Sequence, residues 1–408
     1  MSGTFRSLAG HNYRLWAAGA FVSNVGTWMQ RTAQDWIVLT DLTPHSATAV
    51  GIVMALQFGP ALLLLPFTGF VADRFDRRKV LLLTQSSMGV LALALGILTV
   101  TGLIELWHVY VLALLQGCVT AFDAPARQTF VSELVSDAYL SNAIALNSTS
   151  FNTARMIGPA VAGLLIAGVG TGWVFLINAA SFGGVIAALA FLRVADLHRR
   201  HPAAARPGSF VEGFRYVRGR ADLVMILLML FLVATFAINF PVFVSTMAVM
   251  EFHSGAGKFG FLTSMLAIGS VSGALFAARR ERPRVALLLG GAASFGLALA
   301  VAALMPGYAL FGIALVAVGA SAQTFNTTAN SSAQLRTEPA MRGRVMAIYM
   351  AVAQGCTPLG APLVGWVADR YGPRWSLGVG ATACGLAALV CLRYVLRERE
   401  RSGAKPPS

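Results

Sequence analysis

The stretch Gly69-Phe-Val-Ala-Asp73-Arg74-Phe-Asp-Arg77-Arg78-Lys79 lies between apolar runs near 47–71 and 79–101, each long enough to cross a bilayer. A spanning helix takes about 20 residues. The four cations Arg74, Arg77, Arg78 and Lys79 cannot enter hydrocarbon, so this loop stays in water and fixes the side on which it lies. A plain topology anchor accounts for the basic residues but not for Gly69 and Asp73 at their spacing. Glycine lets a second backbone come close, and the aspartate can accept from arginine side chains or from a helix N-terminus.

Composition sets the same frame. Apolar residues make up 56% of the 408, charged residues 12%, and the mean hydropathy is +0.68. So little polar surface cannot cover a water-soluble globule. Apolar runs of spanning length fall near 15–40, 47–71, 79–101, 106–125, 139–168, 171–193, 222–249, 258–278, 285–304, 307–330, 341–368 and 375–396. The expectation is an all-α polytopic membrane protein with twelve transmembrane helices.

The net charge of +14 would suit nucleic acid if it formed a patch beside stacking aromatics, but the basic residues sit at the ends of apolar runs. No nucleic-acid partner is expected. In the twelve-span scheme, 26 of the 31 Lys and Arg fall on the side of the N-terminus, and only Lys258, Arg370 and Arg374 fall on the other. Both termini and the central linker are therefore expected in the cytoplasm, with the chain in the plasma (inner) membrane. Cys118, Cys356, Cys384 and Cys391 lie inside apolar runs without disulfide spacing, and the six histidines show no ligand spacing. Neither a metal, a cofactor nor a catalytic constellation is expected, and there is no phosphate-binding loop for ATP.

The polar segment near 194–220 divides the chain into a half at 1–194, a linker at 195–220 and a half at 221–408 with a basic tail. A repeat at an offset of 202 residues pairs Gly158 with Gly360, Gly163 with Gly365, Gly170 with Gly372 and Trp173 with Trp375. It makes spans 5 and 11 counterparts. It also places Gly365-Trp-Val-Ala-Asp369-Arg370, which imitates the 69–79 loop, on the opposite side. Within the linker, Phe210, Phe214 and Val217 at helical spacing with Arg215, Arg218 and Arg220 predict a short amphipathic helix on the membrane surface.

The pattern Gly69-x-x-x-Asp73-Arg74-x-x-Arg77-Arg78 resembles the signature loop of the major facilitator superfamily of secondary transporters. That resemblance covers essentially the whole chain. It implies two six-helix pseudo-repeats around a central cavity, alternating access, and a latch role for Gly69, Asp73, Arg74, Arg77 and Arg78. Gly158-Pro159-Ala-Val-Ala-Gly163 is similar to the Gly-Pro motif of exporters in this superfamily, with Ala154 and Ala162 where glycines are usual. Ala124-Pro125-Ala-Arg127-Gln128 resembles a stretch of a bacterial branch that includes siderophore and macrolide efflux proteins. Many exporters of the superfamily carry an arginine three residues before the Gln-Gly of span 4, where this chain has Ala113.

Polar groups inside spans are costly and are therefore functional candidates. Arg31 and Asp35, four apart in span 1, predict an ion pair that either fixes helix packing or binds a proton or a cationic substrate. Asn152 and Arg155 in span 5, Gln323, Asn326 and Asn330 on one face of span 10, and Gln354 in span 11 are candidate cavity-lining residues. Asp123 and Arg127 form a candidate charge pair at the end of span 4. The resulting expectation is a monomeric exporter of small amphipathic molecules coupled to protons. Alternatives of the same fold are an importer of a small solute and a lipid-translocating transporter.

Overall fold

The computed structural model describes residues 3–64, 67–68, 71, 74–198, 210–278, 285–339 and 341–403. Gly69 and Asp73 of the signature loop lie outside the described residues, as does most of the linker's first half. The described residues form helices α1 (His11–Thr40), α2 (Ala47–Leu63), α3 (Arg77–Val100), α4 (Leu106–Phe130), α5 (Asp137–Val169), α6 (Thr171–Ala190), α7 (Phe210–Arg218) and α8 (Ala221–Phe236). They continue with α9 (Phe240–Thr246), α10 (Ala256–Ala278), α11 (Val285–Leu304), α12 (Tyr308–Arg336), α13 (Arg342–Gly355), α14 (Thr357–Tyr371) and α15 (Pro373–Gly403).

Ten helical segments among the described residues are long and apolar enough to cross a membrane, where the sequence predicts twelve. The two that differ are α1 and α2. Polar residues such as Arg14, Gln30, Arg31, Gln34 and Asp35 dilute the apolar character of α1, and α2 has 17 described residues. Large apolar side chains such as Leu63, Leu83, Leu164 and Leu297 stand exposed on the helices. In water that arrangement would be unstable; in hydrocarbon it is the natural outer face.

Two of the spans read as continuous are broken. The first breaks between α8 and α9: Asn239, fully buried, turns its Nδ2 back to the Thr235 carbonyl at 2.7 Å. Pro241 at the start of α9 has no N–H to continue the ladder. The second breaks at Cys356, with Pro358 opening α14. The two breaks touch, because Gly360 presses on the Thr235 main chain and the Thr357 hydroxyl donates to the Ala234 carbonyl at 3.3 Å.

The chain clusters into two compact units. One comprises residues 1–45, 56–204 and 254–264; the other comprises 46–55, 205–253 and 265–408. In the first, α1 packs on α5 and α6, and α3 packs on α6 and α4. Tyr13, Trp16, Leu81, Phe130, Val185 and Leu189 are buried together there. In the second, α11 packs on α12 and α15, and α15 packs on α8.

Each unit contains close helix crossings built from bare backbone, and one in each is related to one in the other by sequence offset. In the second unit, a β-carbon at Gly51 would collide with the Ala361 carbonyl and one at Gly365 with the Ala47 carbonyl. In the first, a β-carbon at Gly260 would collide with the Pro159 carbonyl and one at Gly163 would stand 2.7 Å from the Ala256 carbonyl. Small residues let helices approach to this distance where hydrocarbon supplies no hydrophobic drive. Gly170 and Gly372, at φ 89° and 103°, end α5 and α14 in a region that disfavours any side chain.

Within the linker, α7 packs on α13. Val217 is buried with Leu223, Val345 and Ile348, Glu212 pairs with Arg344 at 3.2 Å, and Phe214 stays exposed beside Arg215 and Arg218.

Candidate functional site

Between Asn24 and Asp35, polar residues of α1 take part in three groups, all within the first unit. Gln30 accepts from Asn178 of α6 at 2.5 Å, and Gln34 accepts from Gln57 of α2 at 3.0 Å. Gly26 makes room for this by letting Asn178 and Ser181 lie against the α1 backbone. These contacts satisfy amides that hydrocarbon would leave unpaired.

The second group surrounds Asp123. Its carboxylate accepts from the Thr84 hydroxyl and the Gln85 amide of α3, each at 2.7 Å, and from Arg127 Nε at 3.1 Å. Arg127 also donates to Asn24 Oδ1 at 3.1 Å and lies over the Trp16 ring, 5.8 Å from its centroid. The four-residue spacing of Asp123 and Arg127 puts the pair on one helical face. Sequence reasoning missed Asn24, Thr84 and Gln85, whose only signal was polarity inside an apolar run.

The third group is Trp28, Arg31 and Asp35 of α1 with Phe58 of α2 and Phe151 and Arg155 of α5. The ion pair expected between Arg31 and Asp35 is not made: among the described residues no carboxylate oxygen lies within 4.0 Å of Arg31. The guanidinium instead lies 5.0 Å from the Trp28 centroid and 5.1 Å from that of Phe58. Arg155 approaches the same indole at 5.4 Å, and Phe151 meets it edge-on at 5.9 Å. Gly158 fixes this arrangement, because α5 rides directly on the Trp28 β-carbon and the Val25 carbonyl. Pro159 and Gly163, the rest of that motif, form the crossing with Gly260. Asp35 is 8% exposed and has no hydrogen-bond or ion-pair partner among the described residues.

The other predicted residues are dispersed. Asn152 is exposed and bonds back to the Ser148 carbonyl of its own helix at 2.9 Å. In the second unit, Gln323 reaches Thr327 at 3.3 Å and Asn330 accepts from Gln334 at 2.7 Å, both along α12. Asn326 meets the Tyr349 hydroxyl of α13 at 3.4 Å, and Gln354 is exposed, with the Met350 sulfur at 4.0 Å its one partner among the described residues. Of the signature-loop cations, Arg77 pairs with Glu133, and Arg78 donates to the Leu189 and Ala190 carbonyls at the end of α6. Asp369, inside the imitation of that loop, caps the start of α2: its oxygens accept from the Ala47 and Thr48 amides and from the Ser46 and Thr48 hydroxyls.

Among the described residues no three His, Cys, Asp or Glu side chains gather as a metal site would require. The comparisons with known proteins agree with a transport role. Residues 2–407 match the family described as transmembrane secretion effector. The staphyloferrin A transporter of Staphylococcus aureus is 26% identical over 371 residues, covering 87% of this chain and 89% of that protein. The enterobactin exporter EntS of Shigella flexneri is 28% identical over 375 residues, covering 91% and 88%. Among solved structures, a mutant of the nucleoside transporter NupG superposes with a TM-score of 0.76 at 13% identity, covering 94% of this chain and 99% of that one. A bacterial homologue of the lysosomal transporter Spinster gives 0.70 at 15%, covering 96% and 97%. These two likenesses speak for the fold alone. The chain is a multi-pass membrane transporter, not an enzyme, and belongs to the transmembrane secretion effector family of the major facilitator superfamily.

Proposed function

We propose that this protein exports a small amphipathic molecule from the bacterial cytoplasm by alternating access, coupled to the inward movement of protons. The observation that carries the export reading is the likeness along nearly the full length to an enterobactin exporter. Coupling to protons rests on Asp35, a carboxyl group deep in an apolar chain without a partner among the described residues. An intramembrane carboxyl so placed can take up a proton in one conformation and release it in another. The ten apolar helices, with α1 and α2, make up twelve spans in this reading.

Two six-helix repeats are supported by the paired crossings. Ala361 and Gly365 follow Pro159 and Gly163 by 202 residues, and Ala256 and Gly260 follow Ala47 and Gly51 by 209, so each contact in one unit has its counterpart in the other. The same reading keeps both termini in the cytoplasm, gives the 69–79 loop a latch role, and needs only one copy of the chain.

The test uses purified protein in vesicles with an imposed pH gradient and a panel of candidate solutes. Export predicts solute accumulating on the side from which protons leave, with alkalinisation of that side on solute addition. Accumulation with the protons would make the protein an importer, and transfer of labelled lipid alone would make it a lipid translocator.

A further inference from the structure

The arginines of the third group are unusual in what they lack. Arg31 and Arg155 are half-buried, their guanidinium groups lie over aromatic rings, and neither has a hydrogen-bond or ion-pair partner among the described residues. A guanidinium carries five N–H donors in one plane. Stacking on a ring satisfies the face of that plane and leaves the N–H edge open. Cations placed at membrane depth are normally matched by carboxylates or carbonyls. Asp35 stands a turn further along α1, and among the described residues neither arginine has a carboxylate oxygen within 4.0 Å.

We infer that Arg31 and Arg155, held over Trp28, form the recognition site for an organic anion, and that the transported molecule carries an acidic group next to a flat apolar portion. Two guanidinium edges match the planar, two-oxygen geometry of a carboxylate. The rings of Trp28, Phe58 and Phe151 provide an apolar wall beside it. Phosphate or sulfate would use the cations but not the wall, so an aromatic or amphipathic carboxylate fits better. This inference rests on the transport reading above and names the class of its substrate. Asp35 acquires a second meaning, because its negative form competes with the ligand for the same cations and its protonated form does not.

The experiment uses the full-length protein in lipid nanodiscs and a matched pair of probes, 1-naphthoate and its neutral isostere 1-naphthamide, followed by equilibrium dialysis. The wild type is expected to prefer the anion by about tenfold or more. Arg31→Gln and Arg155→Gln should each reduce that preference, and the double variant should abolish it while naphthamide binding persists. The lysine variants should retain part of the preference, which separates loss of charge from loss of fold. Asp35→Asn should strengthen naphthoate binding. Equal binding of the two probes by the wild type, or an anion preference that survives in the double Gln variant, overturns the proposal. The export reading is judged separately by net extrusion of the panel from cells. Extrusion blind to charge and to both arginines would sink this inference alone, and Arg-dependent anion binding without extrusion would sink export alone.

Discussion

Asp369 and Ala47, 322 residues apart, are joined by a 2.6 Å hydrogen bond from the backbone amide at the start of α2 to the carboxylate at the end of α14. The second oxygen accepts from the Thr48 amide at 2.9 Å and its hydroxyl at 2.6 Å. An aspartate at a helix N-terminus both satisfies orphan amides and opposes the macrodipole. Asp369→Ala is expected to cost about 1 kcal/mol of local stability. Amide hydrogen exchange at residues 47–50 should quicken in that variant and return only in part in Asp369→Asn, whose single amide oxygen can accept from one of the two backbone amides and carries no charge. Unchanged exchange in the alanine variant would leave the carboxylate without a capping role.

The network around Asp123 predicts a different pattern. Removing one member of a buried ion pair strands the other, at about 3–5 kcal/mol. Asp123→Ala should therefore lower the thermal midpoint in detergent strongly, and Arg127→Gln should do so as well. Because both act on one network, the double variant should lose less than the sum of the single losses. Strict additivity would show that Thr84, Gln85 and Asn24 hold each partner independently.

For proton coupling, Asp35→Asn keeps the shape of the side chain and removes its titration. Vesicles carrying this variant should bind solute yet neither concentrate it nor alkalinise the compartment that the protons leave. Accumulation at the wild-type rate would reduce Asp35 to a packing residue and turn attention to Asp123.

Orientation is tested by single cysteines at exposed polar positions, Thr101 after α3 and Arg218 at the end of α7. An impermeant thiol reagent should label position 101 and spare 218 in intact cells. The opposite result would invert the topology. Gly372 would be a poor choice for the same purpose, because at φ 103° any side chain is strained.

Much of the fold was legible because apolar length, charge placement and glycine spacing each report a bilayer constraint directly. The helix breaks at 237–239 and 356 were not, since apolar residues resume beyond each and the total length still suits a single span. The missed signals were Asn239 two residues before Pro241, and Pro358 two residues after Cys356, both of which disrupt the backbone rather than the hydropathy. At the candidate site, the spacing of Arg31 and Asp35 pointed to a pair that the fold does not form. Trp28, three residues before Arg31 on the same face, competes for the guanidinium, and an indole ring holds it without charge neutralisation. Spacing alone cannot rank those two partners, because the outcome depends on where α2 and α5 bring Phe58 and Arg155.

The bare-backbone crossings at Gly51 with Gly365 and at Gly163 with Gly260 also have a practical meaning. Each is a contact whose tightness depends on the absence of a single methyl group. Alanine at any of the four acts as a spacer of fixed size that adds neither charge nor polarity. The four positions therefore form a graded set of mechanical shims, with which the opening of one helix pair can be favoured while the other is left intact.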